Sequence, residues 1–303
     1  MTGAGSALPV AFAMEDEFMG GLKEEDGEPT FVEPGIDPQV EELDLQRQLE
    51  RVRRPDDPIP LTSLAQNLEG AASVSFVLTD DNWHDLVFED GLIEKGLRPS
   101  ARWHFGVDLI EGTVERITLG TVVTQVQIQY QQDQNVRVTL TMLYGDEVGG
   151  DSDEANEFDP TDVERPAKSD VFASHSTSLE IDDAAVETYL QSAGLTISNL
   201  ARFRRGAGFH PVDAVPGAVE PDLSTNATFT ESDRRDIAYG GSTPATMLDE
   251  IDATLEFDRD DGSDPIAYDL EVKPDNYAWN DLVQADTDLG EDINWHVSHV
   301  EAV

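Results

Sequence analysis

The sequence contains no cysteine, which excludes a disulfide frame, a thiolate metal site and a cysteine nucleophile. Lysine is almost absent, with Lys23, Lys95, Lys168 and Lys273 alone among 303 residues. A chain this poor in cations cannot grip phosphates, although nucleic acid can still pass by it without sticking. No Gly-rich phosphate loop, dinucleotide fingerprint or nucleophile elbow occurs. No apolar run approaches the ~20 residues of a membrane span. The run Ala7–Met14 has no basic segment before it and acids directly after it, which argues against a signal peptide. A soluble protein made in the cytoplasm is expected, with neither cofactor nor catalytic centre.

What is abundant is carboxylate. Acidic residues outnumber Lys and Arg by 63 to 19, for a formal net charge of −44. Such a surface repels itself at a Debye length of roughly 10 Å in 0.1 M salt, but not at the roughly 3 Å of molar salt. A salt-rich, haloarchaeal cytoplasm is the setting this charge fits. Disorder does not fit, because 39% of the residues are hydrophobic and clear strand patterns run through the chain.

Two stretches 151 residues apart share one design: Ser73–Phe88 (SVSFVLTDDNWHDLVF) and Ser224–Tyr239 (STNATFTESDRRDIAY). Each reads as a strand, a Thr with an acid, and a helical turn ending in an aromatic; Ser, Thr and Asp are identical at 73/224, 79/230 and 85/236. Alternating runs rich in Val, Ile and Thr, within and around each copy, predict strands. In the first half these are 72–78, 101–110, 113–130 with a bend near Gly120, and 136–144. In the second they are 176–181, 193–197, 223–229, 251–257, 266–272 and 293–300, with Asp260–Asp264 as a hairpin turn. The expected organisation is an N-terminal arm at 1–58, a first β module at 59–146, an acidic linker loop at 147–170, and a second β module at 171–303. A chain of this length has room for two modules, each with its own core. The fold class is all-β, with one short helix per module. Within the arm, Glu41–Arg54 reads as a short charged helix or extended segment.

Candidate chemistry is sparse. His296 and His299 stand three apart in an expected strand, hence on opposite faces and unsuited to share a metal. His84 and His104 adjoin tryptophans and read as core-edge residues. The run Phe257–Gly262 puts Phe where a calcium loop needs its first carboxylate, so a turn is the better reading. With 63 acids, any carboxylate pair arises by coincidence. Two basic clusters stand out, Arg51, Arg53 and Arg54, and Arg202, Arg204 and Arg205. In so acidic a chain they are expected to meet carboxylates of a neighbouring subunit.

The order of motifs resembles the tail tube proteins of long-tailed viruses. The resemblance lies in AFAMEDEFMG (Ala11–Gly20), in the strand pair of Thr113–Glu147 ending in Tyr-Gly-Asp, and in FASHSTSLEID (Phe172–Asp182). It continues in AGLTISNLARFRRGAG (Ala193–Gly208) and the closing alternation Ile293–Ala302. It implies two tandem β-sandwich or barrel tube modules that join neighbours into rings. These rings stack into a hollow tail tube for DNA ejection, with the N-terminal arm touching the next ring. Partners would be further copies, other tail and neck proteins, and double-stranded DNA passing through the lumen without specific binding. A duplicated module implies three chains per pseudo-six-fold ring; six chains are the alternative. A halophilic carbohydrate-binding or carbohydrate-active β-sandwich is the competing reading, with Trp83, Trp103, Trp279 and Trp295 as sugar platforms.

Overall fold

Period-two burial of branched and aromatic residues builds more than half of the chain into strands, which pair antiparallel. The computed structural model describes residues 6–25, 28–47, 49–52, 62–65, 67–93, 95–109, 112–167, 171–172, 176–182, 184–185, 190–230, 232–259, 264–280 and 289–303. One large sheet runs through both halves. In the first half its order is Ile36–Gln46, Glu69–Val77, Arg137–Tyr144, Gly112–Gln131. In the second it is Leu190–Ser198, Glu220–Thr228, Gly290–Ala302, Ile266–Asn280. The two sets share one permutation of chain order.

The outer elements repeat as well. Ala101–Leu109 pairs with Gly112–Gln131 and carries Ala11–Met14 on its far side. Ile251–Phe257 pairs with Ile266–Asn280 and carries Thr177–Ile181. Between the first two strands of each set lies a separate two-stranded ribbon, Leu49–Val52 with Thr62–Ala65 and Ala201–Arg205 with Pro211–Pro216. Even the irregularities correspond. The register slips between Val123 and Gln125 in one half and between Pro274 and Asn276 in the other, the same 151-residue spacing as the sequence repeat.

The long strand Gly112–Gln131 is where the sheet branches, with Ala101–Leu109 paired mainly before its bend at Gly120 and Leu190–Ser198 paired after it. At Gly120 φ is +60°, and a Cβ would strike the side chains of Met19 and Phe18. The buried Glu15 fastens this bend. Its carboxylate accepts from the Gly120 N–H at 2.9 Å, the Met19 N–H at 3.0 Å and the Ser100 hydroxyl at 2.7 Å. Burial raises its pKa against the pull of those donors.

Four findings alter the expectations from sequence. The segment expected as an arm supplies Ala11–Met14 and Ile36–Gln46 to the sheet; the latter lies at an edge, where Pro38 is tolerated. The expected linker loop is in part packed: Asp146–Gly149 pairs with Gly112–Gln131, and Phe158 and Val163 bury against Ala11, Ala13 and Phe31. The main core is continuous across both halves rather than one core per module, since the halves share a sheet. The short helix of the first half is a 3-10 turn, Asn82–Leu86, whereas Asp233–Tyr239 is α-helical and ends on Gly240 at φ 70°. Most of the expected turn Asp260–Asp264 lies outside the described residues.

Candidate assembly interface

The halves meet along one antiparallel junction, in which Val126 faces Ile197, Ile128 faces Leu195 and Tyr130 faces Ala193. Ile128 and Leu195 are 0% exposed, so the junction is as dry as the core. It joins the last strand of one set to the first strand of the next.

The same two strand positions recur at the ends of the sheet without a partner among the described residues. Ile36–Gln46 pairs with Glu69–Val77 on one side alone. Ile266–Asn280 pairs with Ile251–Phe257 only as far as Val272, which leaves Lys273–Asn280 open on that side. Apolar side chains remain exposed along both edges, with Val40 at 41% and Trp279 at 44%. Leu43 and Leu45 are half-buried against the core.

A polar network holds the second edge. The Trp279 indole N–H donates to the Tyr277 hydroxyl at 2.6 Å, which donates to Glu291 at 3.0 Å. Glu291 in turn lies 3.3 Å from Arg234. Burial raises the Glu291 pKa, with Arg234 opposing it, and burial with the Glu291 carboxylate pushes Tyr277 up to about 12. The Trp279 ring also meets Phe229 edge-on at 5.5 Å. Ending the strand at Val272 on sequence grounds missed this edge. Lys-Pro-Asp-Asn at 273–276 reads as a break, yet the bulge at Asp275 absorbs it and the strand resumes.

Arg51 and the cluster Arg202, Arg204 and Arg205 lie on equivalent ribbons. Leu49–Arg54 (LERVRR) and Leu200–Arg205 (LARFRR) match at four of six positions at the 151-residue spacing, a signal that comparing the clusters directly would have found. Arg204 pairs with Asp213 across its ribbon. Arg205 pairs with Glu69, donates to the Leu68 carbonyl at 3.0 Å and lies 5.8 Å from the Phe203 ring. Arg204 and Arg205 thus each have a carboxylate partner within the chain. Arg51 and Arg202 are exposed, while Arg53 and Arg54 lie outside the described residues.

Among the described residues no three His, Asp or Glu side chains are grouped to hold a metal ion. His296 and His299 do not lie on opposite faces as their spacing predicts. A bulge at Ser298 resets the alternation and exposes both. His84 is a core-edge residue, bonded to the Tyr268 hydroxyl at 2.7 Å. Burial drives its pKa down to about 4. Trp83, Trp103 and Trp295 are fully buried and cannot serve as sugar platforms, which leaves Trp279 alone on the surface. No helix among the described residues is long and apolar enough to cross a membrane.

A search of curated proteins finds no match. A family model described as phage tail tube protein matches residues 21–297, which takes in both halves, the junction between them and the open edges. This duplicated, all-β chain belongs to the phage tail tube protein family.

Proposed function

We propose that the chain is the tube subunit of a long-tailed virus of a haloarchaeal host, with three copies closing a ring of pseudo-six-fold symmetry. Rings stack into a hollow tail through which double-stranded DNA leaves the virion. The observation that carries this reading is the repeated strand permutation, with its two copies joined edge to edge in one sheet. A chain that already contains one such junction and still presents both of its edges is built for head-to-tail addition, which gives a ring where the rotation closes.

The charge supports the conduit and the setting. With −44 formal charges and few cations, the protein offers DNA no counterion-release gain, so the genome slides past the wall. The same carboxylates oppose assembly unless salt screens them. Exposed Arg51 and Arg202, on equivalent ribbons outside the main sheet, suit contacts to carboxylates of the next ring. Other tail and neck proteins cap the stack, and assembly takes place in the host cytoplasm.

Electron microscopy of the purified protein in molar KCl tests the reading. The expected result is rings or tubes of uniform diameter that dissociate as salt is lowered. A strict monomer at high concentration in molar salt contradicts it.

A further inference from the structure

The junction within the chain is a template for the junction between chains, and it specifies a register. We propose that the open edge Lys273–Asn280 of one copy takes the open edge Ile36–Gln46 of the next as an antiparallel partner. In that seam Tyr277 faces Leu45, Ala278 faces Asp44, Trp279 faces Leu43 and Asn280 faces Glu42. The proposal rests on the ring reading and deepens it by naming the contacting residues.

The register follows from pairings inside the chain. Leu140, opposite Val126 and Val74, corresponds to Ile293, opposite Tyr277 and Thr225. Val126 and Ile128 thus correspond to Tyr277 and Trp279, and the shared bulge fixes that alignment independently. On the other strand, Leu43 pairs with Ala72 and Leu45 with Gly70, as Leu195 pairs with Leu223 and Ile197 with Pro221. Leu43 and Leu45 therefore correspond to Leu195 and Ile197. Carrying the pairs Val126–Ile197 and Ile128–Leu195 across gives the seam above.

Exposure points the same way. Two residues that the template buries have counterparts left exposed at the open edges. Trp279, at 44%, corresponds to the sealed Ile128, and Val40, at 41%, corresponds to Ala193 at 3%. The chemistry also differs in the sense expected of a surface that meets water before it meets a partner. Val126 and Ile128 become Tyr277 and Trp279, whose polar atoms are already hydrogen-bonded within the chain. Tyr and Trp are the residues enriched at such interfaces. The opposing strand is held ready, because the Leu43 carbonyl accepts from Arg116 at 2.9 Å and the Asp44 carbonyl from the Tyr144 hydroxyl at 2.7 Å.

Because the chain lacks cysteine, paired substitutions read the register directly. The variant Asp44→Cys/Ala278→Cys, assembled in molar KCl and oxidised, is expected to cross-link between copies into a ladder ending at the trimer on a non-reducing gel. Gln46→Cys/Ala278→Cys is two residues out of register, a slip of about 6.8 Å along the strand that exceeds comfortable disulfide geometry. It is expected to stay monomeric on the same gel. If rings form but the out-of-register pair cross-links better, or neither does, the seam is wrong while the ring reading stands. If the unsubstituted chain forms no rings in molar salt, the ring reading itself fails. Hydrogen exchange on the unsubstituted protein covers the case in which a variant misfolds. Amides at 42–45 and 277–280 are expected to slow by about tenfold or more on assembly, and unchanged exchange there overturns the seam.

Discussion

Under the repeat, Trp83 and Val138 of the first half correspond to Arg234 and Glu291 of the second. The first pair is fully buried and apolar. The second is an ion pair at 3.3 Å whose side chains are only 14% and 2% exposed. One architecture thus holds either two apolar core residues or an ion pair at these equivalent positions. The charged version is the costlier way to fill the space, since desolvating two ions consumes most of their attraction. What it adds is direction. Glu291 fixes the Tyr277 hydroxyl, which fixes the Trp279 indole, so the ion pair orients the side chains of the open edge. The first half has no such task, because its equivalent edge is sealed inside the chain. A duplicated fold has kept a plain core where its copies meet and a polar network at its open edge.

The largest expected effect comes from breaking the ion pair on one side. Glu291→Val leaves Arg234 buried without its counterion and is expected to cost about 3–5 kcal/mol, read from chemical unfolding at fixed molar salt. Restoring the first half's solution with Arg234→Trp and Glu291→Val together is expected to recover most of that loss. It is also expected to weaken ring assembly, since Tyr277 loses its acceptor. A double variant as unstable as the single would show that the two sites are not interchangeable.

Next in size is an acid response confined to the first half. His84 corresponds to Arg235, which stays charged throughout. Burial holds the folded pKa of His84 near 4, below its ordinary 6.5. Folding therefore favours the neutral ring, and the stability this gives is complete above pH 6.5 and lost as pH falls toward 4. The loss is on the order of 2–3 kcal/mol. Asp80 works in the opposite sense. Its pKa is raised to about 6 by burial and by Asp81, so its contribution is present at low pH and lost as pH rises through 6. His84→Gln isolates the histidine: its unfolding free energy is expected to fall less than the parent's between pH 6.5 and 4. Parallel curves would remove His84 from the account.

The smallest expected effect lies on the ribbons. Cutting the surface pairs with Arg204→Ala or Arg205→Ala is expected to change stability by about 1 kcal/mol or less, measured in the same unfolding assay. Arg202→Ala is expected to leave stability unaltered and to shorten tubes in micrographs. Tubes of unchanged length would remove the ribbons from ring stacking.

Alternation made the inner strands legible in the sequence. Val136, Val138, Leu140 and Met142, or Ala253, Leu255 and Phe257, bury one face and leave the other only half-buried, and period two shows it. The edge strand Ile36–Gln46 was not legible, because only Leu43 and Leu45 pack on the core and most of the remaining positions are acids, one proline and exposed residues. The buried Phe158 and Val163 were hidden for a related reason. Each is a lone apolar residue in an acidic stretch, and what it packs on lies far away in sequence at Ala11, Ala13 and Phe31. Bulges defeated the rest. One resumed a strand past Pro274, and another turned His296 and His299 to the same side. The duplication was faintly visible in Ser73–Phe88 and Ser224–Tyr239, and only the strand pairings showed how far it extends.

The central claim is that each chain supplies two of six equivalent sectors, and a count of chains per ring tests it most directly. Native mass spectrometry or a reconstructed image of single rings assembled in molar salt is expected to give three chains in a ring with six similar sectors. Six chains per ring would contradict the account, because each would then place only one of its two halves in the wall.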